Sequence, residues 1–412
     1  MIQFYFRNLV LAGGAAVYLA LILPDSGLKA QGAPAEAGLA DRKLVIQGFI
    51  QEMYEDSRYL SDTTAHGETC TSADKVQSSG FRLRRLRLRV SAYWRTGTMA
   101  RLQLALQQTD WKKILEDAYL QQDLLGNRLS IYLGQLKEPY GREELRRVWE
   151  LLVVDRGYLT AVLTSNNWAS RQQGLMVVAR LEPSGIPIRV QLMVANGDGI
   201  NQTVDPTPLA KLAVGRLTIG PLSWLEAAAS VGLQHFGAGD EYYYATPLET
   251  ALNFTSLSLD FALRLPLSDR LLMEWDGEFH AFDLINKFEV GKYPRFGWAG
   301  HPSRSQAQIN RGEYRILGVN LTPSLYLQLP ARSPVKALDL AARFEHACTG
   351  HNFFSKPGFS FTAGEVALGF HFMDAERQNR SRLQLALALL SPSIGRPTQD
   401  LRTLKVQWQV RY

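Results

Sequence analysis

Regular alternation of apolar and polar residues is the feature of this 412-residue sequence that most restricts its fold. In residues 257–265, apolar side chains fill every odd-numbered position, and the same alternation recurs in residues 101–107, 188–194 and 383–389. A period of two predicts strands with one apolar face. In a soluble sandwich that face points inward, whereas in an outer-membrane barrel it faces lipid and the polar face lines the lumen. Periodicity alone leaves both folds open.

The spacing of the alternating segments favours the barrel. Sixteen strands with approximate boundaries can be placed between residues 41 and 412, and the number is even. Connections after even-numbered strands are short, as at 124–127, whereas those after odd-numbered strands are mostly long, as at 52–80 and 138–171. Bacterial outer-membrane barrels alternate short periplasmic turns with longer external loops in this way. Because no Pro/Ser-rich linker divides the chain, the sequence predicts one all-β domain over residues 31–412, a transmembrane antiparallel β-barrel of about 16 strands.

Both ends of the chain carry signals for export and membrane insertion. Arg7 precedes an apolar run over residues 9–23, and small and helix-breaking residues follow it, so residues 1–30 are predicted to be a signal peptide. That run is the only long one, which excludes a helical membrane protein with several spans. Apolar or aromatic residues fill every second position from Leu404 to Tyr412, a pattern that resembles the recognition signal of the outer-membrane assembly machinery. The predicted location is the bacterial outer membrane, with its lipid and that machinery as partners.

Part of the sequence resembles a known family. The blocks that carry the resemblance are, in chain order, FRLRRLRLR (81–89), EDAYL (116–120), LGQLKEPYGREEL (133–145), VVDR (153–156) and SRQQG (170–174). They are similar to successive blocks of the phosphate-selective porin O and P family. The resemblance implies a sixteen-stranded barrel, commonly a homotrimer, whose third external loop folds into the bore and whose basic residues line an anion path. It implies a passive diffusion channel for anions such as phosphate, and no enzymatic activity is expected.

Basic residues on neighbouring predicted strands indicate where anions would pass. The polar faces of the second strand and of strands near it carry Arg85, Arg87, Arg89, Arg101 and Arg128. In the two-residue alternation of this strand, Arg84 falls on a lipid-facing position, and a bulge or register change near it would turn it inward. Guanidinium groups can replace, through charge-assisted hydrogen bonds, the hydration that an anion loses in a narrow pore.

The long connection over residues 138–171 is the candidate constriction. Its basic residues are Arg142, Arg146, Arg147, Arg156 and Arg171, with Lys137 at its mouth. These six residues and the six strand arginines form the predicted anion path. The connection also carries five carboxylates, so a network that fixes the fold of the loop is an alternative for some of the cations. A further alternative is that the lumen arginines solvate the wall or pair with carboxylates such as Asp117.

Acidic residues on the predicted eleventh strand leave the degree of selectivity open. Glu274, Asp276 and Glu278 share one polar face and depart from a purely cationic lumen. Phosphate preference, mild anion preference and a general small-solute porin with little charge selectivity are therefore alternatives. An outer-membrane enzyme of the lipase type would need Ser, His and an acidic partner placed together, and no such motif stands out. A structural sheath would need a wider bore and more strands.

The sequence predicts no metal, no cofactor and no nucleic-acid partner. Cys70 and Cys348 form no C-x-x-C pair, which excludes a zinc ribbon and a covalently attached haem. Both cysteines are expected in external loops, and the seven histidines are scattered. A pI near 9.2 would suit nucleic acid, but an exported chain whose arginines follow a lumen pattern would not meet it.

Overall fold

The structure is a computed structural model. It describes residues 43–59, 78–94, 97–108, 114–197, 199–201, 211–237, 251–283, 315–330, 332–349, 360–372, 381–393 and 401–411. The predicted signal peptide and Tyr412 lie outside these ranges, so their roles stay predictions.

Sixteen strands build the molecule. They are β1 (Lys43–Tyr59), β2 (Ser78–Trp94), β3 (Thr98–Ala105), β4 (Leu115–Leu124), β5 (Leu129–Lys137), β6 (Arg171–Leu181), β7 (Ile188–Ala195), β8 (Lys211–Leu222), β9 (Leu225–Phe236), β10 (Leu252–Pro266), β11 (Leu271–Asp283), β12 (Arg315–Gln328), β13 (Ala337–Thr349), β14 (Ser360–His371), β15 (Ser381–Ser393) and β16 (Leu401–Arg411). Each strand pairs with its neighbours in the chain, and β1 pairs antiparallel with β16, which closes the barrel. Closure leaves no sheet edge exposed. The predicted fold class is confirmed.

Side chains alternate across the barrel wall as the sequence pattern predicts. On β10 the outward Leu257 and Leu259 are 36% and 47% exposed, whereas the inward Ser258 and Asp260 are buried. Exposed leucines, valines and aromatic residues continue over the outer surface, which is the face that lipid covers in an outer-membrane barrel. The protein is therefore a barrel of the bacterial outer membrane. Among the residues listed above, no helix is long and apolar enough to cross a membrane, a finding that concerns helices alone.

The outer ends of two strands extend further than the sequence predicts. The predicted first strand stops at residue 51, but Glu52–Tyr59 continues the pairing of β1 with β16. The inward Ser57 shares a hydrogen bond with Thr403 of β16 at 3.1 Å. Apolar alternation fades here because strands that project beyond the hydrocarbon layer no longer need an apolar outer face. Cys348 likewise lies in β13 and not in an external loop, so that prediction is wrong; Cys70 lies outside the described residues.

A β-bulge interrupts β2 at Arg84. Gln51 of β1 pairs with Arg85, and the next residue of β1 pairs with Leu83, which leaves Arg84 as the extra residue. Such a bulge places two successive side chains on one face. Both Arg84 and Arg85 contact Asp155 inside the barrel. The bulge that would turn Arg84 inward is therefore present.

A second bulge interrupts β4 at Glu116. Gln103 of β3 pairs with Asp117, and the next residue of β3 pairs with Leu115. Glu116 and Asp117 therefore both face inward, and both contact Arg171. The bulge in β2 places two successive arginines on the inner face of the barrel. The bulge in β4 places two successive carboxylates on the same face, two strands away.

The connection between β5 and β6 fills much of the barrel interior. It contains helices α1 (Arg142–Leu145) and α2 (Tyr158–Ser165) and a 3₁₀ turn (Val148–Glu150), while another 3₁₀ turn (Pro183–Gly185) joins β6 to β7. We call residues 138–170 the third loop. Leu159, Leu163 and Trp168 of this loop are completely or almost completely buried, and they pack among inward side chains such as Phe254 and Phe282. The predicted in-folded third external loop is confirmed.

Candidate functional site

Two arginines, one in α1 and one directly after it, bind the acidic face of β11. Arg142 donates to Asp276 at 3.0 Å and reaches Glu226 of β9 at 2.5 Å. Arg146 pairs with Glu274 at 2.8 Å and with Asp276 at 2.6 Å. The carboxylates that depart from a cationic lumen therefore serve as anchors for the third loop, and the cations they bind are largely neutralised.

Two buried carboxylates receive the first amides of the two loop helices. Glu278 of β11 accepts the amides of Arg142 and Glu143, the latter at 2.8 Å. Glu345 of β13 accepts the first two amides of α2 at 2.9 and 3.0 Å. A Cβ at Gly157 would lie 2.0 Å from a carboxylate oxygen of Glu345, so only glycine lets the chain approach so closely. These contacts fix the height of both helices inside the barrel.

Asp155 fastens the far side of the third loop. Its carboxylate pairs with Arg84 at 2.9 Å, with Arg85 at 3.1 Å and with Lys405 of β16 at 3.5 Å. Its carbonyl oxygen accepts a hydrogen bond from Arg343 at 2.6 Å. Burial alone would raise the pKa of Asp155, but the charges of Lys405, Arg84 and Arg85 hold that pKa well below its usual value. The carboxylate is therefore ionised at neutral pH and holds its three cations.

A cavity lies between the third loop and the wall formed by β2 to β7. Its volume is about 220 Å³. We call it the cationic cavity, and its lining residues are Arg87, Arg89, Arg101, Gln103, Asp117, Tyr119, Tyr132, Leu136, Lys137, Leu145, Arg147, Val148, Trp149, Arg171, Met176 and Gln191. Six of these carry positive charge and one, Asp117, carries negative charge. The lining runs from Lys137 at the outer end of β5 to Tyr132 and Arg101 near the opposite barrel end, so the cavity follows the bore axis.

A second cavity lies beside the opposite wall and has a different charge balance. Its volume is about 320 Å³. We call it the mixed cavity, and its lining residues are Arg146, Glu150, Leu151, Leu152, Arg264, Glu274, Tyr326, Asp339, His371 and Arg382. Three arginines face three carboxylates there. Arg382 also donates to the carbonyl oxygen of Leu151 at 2.8 Å, so part of this wall holds the third loop in place.

Half of the cations in the cationic cavity are paired with carboxylates. Arg87 binds Glu116 at 2.6 Å, Arg171 binds Asp117 at 2.6 Å and Lys137 binds Glu144 at 3.1 Å. Burial alone would raise the pKa of Glu144, but Arg156 and Lys137 hold it below its usual value. Charge at these three positions is therefore compensated locally.

The other three cations of the cationic cavity lack a buried acidic partner. Arg89 donates to the neutral amide oxygen of Gln103 at 2.8 Å. The Arg101 guanidinium lies 5.5 Å from the ring centroid of Tyr119. Within the ranges that the structure describes, neither of these arginines forms an ion pair, and Arg147 pairs only with Glu150 at 3.6 Å, with both side chains more than 40% exposed. Positive charge is therefore least compensated at Arg89, Arg101 and Arg147.

Trp149 of the third loop brings cations together without neutralising them. The guanidinium carbons of Arg89 and Arg147 lie 5.3 and 5.7 Å from its ring centroid, and that of Arg411 lies at 5.4 Å. An indole face attracts cations through its quadrupole and carries no net charge. Sequence reasoning missed this residue, because nothing in a loop sequence indicates which wall an aromatic side chain will meet.

The twelve residues of the predicted anion path separate into three groups. Those lining the cationic cavity are Arg87, Arg89, Arg101, Lys137, Arg147 and Arg171. Those engaged in fixing the third loop are Arg84, Arg85, Arg142, Arg146 and Arg156. Arg128 lies in the turn before β5, at the opposite end of that strand from the third loop. Sequence analysis also overlooked Arg343 and Lys405, whose inward parity was a usable signal.

No family model and no curated protein matches this sequence. Solved structures share its fold. The outer-membrane channel DcaP of Acinetobacter baumannii is 10% identical with a TM-score of 0.56, and the match covers 91% of this chain and 99% of that one. A loop-deletion mutant of OmpT, an outer membrane protein of Vibrio cholerae, is 11% identical with a TM-score of 0.53, and the match covers 90% of this chain and 99% of that one. The fold is thus that of sixteen-stranded outer-membrane barrels, a class that includes channels.

Proposed function

We propose that this protein is a passive diffusion channel of the outer membrane that prefers anions such as phosphate. The observation that carries the proposal is the unequal charge of the two cavities. The cationic cavity follows the bore, and three of its six cations, Arg89, Arg101 and Arg147, lack a buried acidic partner, whereas the mixed cavity has as many carboxylates as arginines. A narrow passage with low-dielectric walls strengthens such a local potential relative to open water. Of the twelve residues of the predicted anion path, the proposal retains the six that line the cationic cavity.

Neutralising the uncompensated arginines tests the proposal. The double substitution Arg89→Gln and Arg101→Gln should lower the chloride-to-potassium permeability ratio by at least about fivefold, since even one elementary charge about 4 Å from one ion is worth on the order of 1 kcal/mol in water. Reversal potentials in planar bilayers under a KCl gradient measure that ratio. The matched control is Arg264→Gln, because Arg264 lines the mixed cavity and is half-exposed. Equal reversal potentials in all three proteins would contradict the proposal.

The preference for phosphate rests on the family resemblance and on the chemistry of guanidinium groups. Arginine binds phosphate oxygens through paired hydrogen bonds, and Arg89 and Arg101 sit on adjacent strands. Inorganic phosphate should reduce the single-channel chloride current with a saturating concentration dependence, and the double substitution should abolish that block. A linear effect of phosphate would leave anion preference without a phosphate site.

A general small-solute porin with little charge selectivity is the second candidate. The pairing of Arg87, Lys137 and Arg171 with carboxylates favours it, because paired charges contribute little net potential. Reversal potentials near zero in wild-type protein would identify this case. Discrete conductance steps separate both channel candidates from an outer-membrane enzyme or a structural sheath, neither of which requires them.

A further inference from the structure

The cationic cavity has a wall that a purely ionic path does not need. Tyr119, Tyr132 and Met176 lie on β4, β5 and β6 and line it, although an aqueous lumen favours polar side chains at inward positions. The Tyr119 and Tyr132 rings meet edge to face with their centroids 5.7 Å apart. Leu145 of the third loop lines the same space. These four side chains therefore form an apolar patch on a wall that also carries Asp117, Lys137 and Arg171.

The unpaired arginines and the tyrosines of this cavity project from different strands, and they meet where the Arg101 guanidinium lies 5.5 Å from the ring centroid of Tyr119. Arg89 and Arg101 project from β2 and β3, whereas the tyrosines project from β4 and β5. Asp117 is the one carboxylate of the lining, and Arg171 binds it at 2.6 Å. An anionic group inside the cavity therefore faces these two arginines, and the one carboxylate of the lining is already bound to Arg171. An apolar body attached to that group would lie against the tyrosine wall.

We propose that the cationic cavity is a binding site for small organic carboxylates with a flat apolar body. The inference rests on the proposed anion path and names the class of solute that fits it best. Guanidinium groups of Arg89 and Arg101 bind the carboxylate, and Tyr119 and Tyr132 contact the body through their apolar surfaces. A fully hydrated inorganic anion would leave that wall wet and gain nothing from it.

The size of the cavity limits the solute to about one ring. Its volume of about 220 Å³ is below the roughly 300–1,000 Å³ of sites that enclose drug-sized ligands. Two flat side chains on one wall favour a planar body over a branched one, because aromatic pairs gain from offset or edge-to-face contact. Binding at such a site in a channel must remain weak enough for release.

Benzoate and acetate form the matched pair of probes, since they share a carboxylate and differ in the body. Half-blocking concentrations of the single-channel chloride current are measured for each. In wild-type protein benzoate should block at a concentration about five- to tenfold lower than acetate, which corresponds to the gain expected from aromatic contact. Equal concentrations for the two probes would overturn the proposal.

Variants of Tyr132 separate the apolar wall from the charge. Tyr132→Phe keeps the ring and should preserve the difference between benzoate and acetate, whereas Tyr132→Gln should bring the two half-blocking concentrations together. The reversal potential in a KCl gradient should be unchanged in both variants, because no charge is altered. A difference that survives in Tyr132→Gln would overturn the site. A wild-type protein that shows no anion selectivity would instead contradict the proposed function.

Discussion

At the scale of single residues, Glu138 is the most unusual charge in the third loop. It follows β5 directly, is completely buried, and accepts the amide of Ala169 at 3.1 Å through one carboxylate oxygen. Burial raises the pKa of Glu138 to about 8, because an ionised carboxylate in this position loses its hydration. The loop therefore closes on a carboxyl that is largely protonated at neutral pH.

The raised pKa of Glu138 predicts a loss of stability at alkaline pH. Between its ordinary pKa near 4.5 and the folded value of about 8, the folded state binds a proton that the unfolded state has released. The stabilising effect is complete below the lower value and is lost as pH rises through the higher one. Melting temperatures of the detergent-solubilised protein between about pH 5 and about pH 9 should fall for wild type and fall less for Glu138→Gln.

The exposed loop carboxylate Glu150 supplies the control for this measurement. Glu150→Gln is the same substitution in the same loop at a side chain that is 41% exposed and not buried. A wild-type slope that Glu138→Gln does not reduce would show that another group titrates over this range.

At the scale of elements, the bulge at Arg84 makes an unusual prediction about deletion. Removing one residue from a strand normally turns every following side chain to the opposite face. Deleting Arg84 should instead restore regular alternation, because Leu83 already faces outward and Arg85 already pairs with the inward Gln51. Deletion of Arg87 is the control and should prevent assembly. Membrane insertion and heat-modifiable electrophoretic mobility distinguish a folded barrel from an unfolded chain.

Strands were predictable from the sequence because their pattern is local. Alternation in residues 257–265 follows directly from a wall with lipid on one side, and the parity of Arg84 reveals a bulge within the same few residues. Partners of the third loop were not predictable, because Arg142 meets Glu226 and Asp276 across the bore and no local pattern encodes such contacts. The position of the loop was available only through family resemblance.

The sequence predicted that the candidate site is positively charged. It did not predict which of its arginines are paired with carboxylates. Parity placed Arg87 and Arg89 on one face of β2, but it gave no sign that Arg87 binds Glu116 while Arg89 meets a neutral amide. That difference depends on the bulge at Glu116, which turns an extra carboxylate inward. The distribution of charge in the cavity therefore depends on contacts between strands that single-strand patterns do not contain.

At the scale of the whole molecule, we propose a homotrimer of mature chains. The support is the family resemblance of residues 81–180. Native mass spectrometry of the detergent-solubilised protein should give about three times the mass of a chain that lacks residues 1–30. A monomer alone would contradict the trimer, and a mass that includes residues 1–30 would contradict the predicted cleavage.

Asp155 has a set of partners that exists only in the closed barrel. Its partners belong to β2 and to β16, which lie on either side of β1 only after the first and last strands have paired. Before that pairing, Lys405 and Arg84 belong to opposite ends of an open sheet, and the full binding site of Asp155 does not exist. The third loop is therefore attached to both sides of the seam only in the closed barrel. One carboxylate of the loop that narrows the bore thus also joins the first and last parts of the barrel across β1.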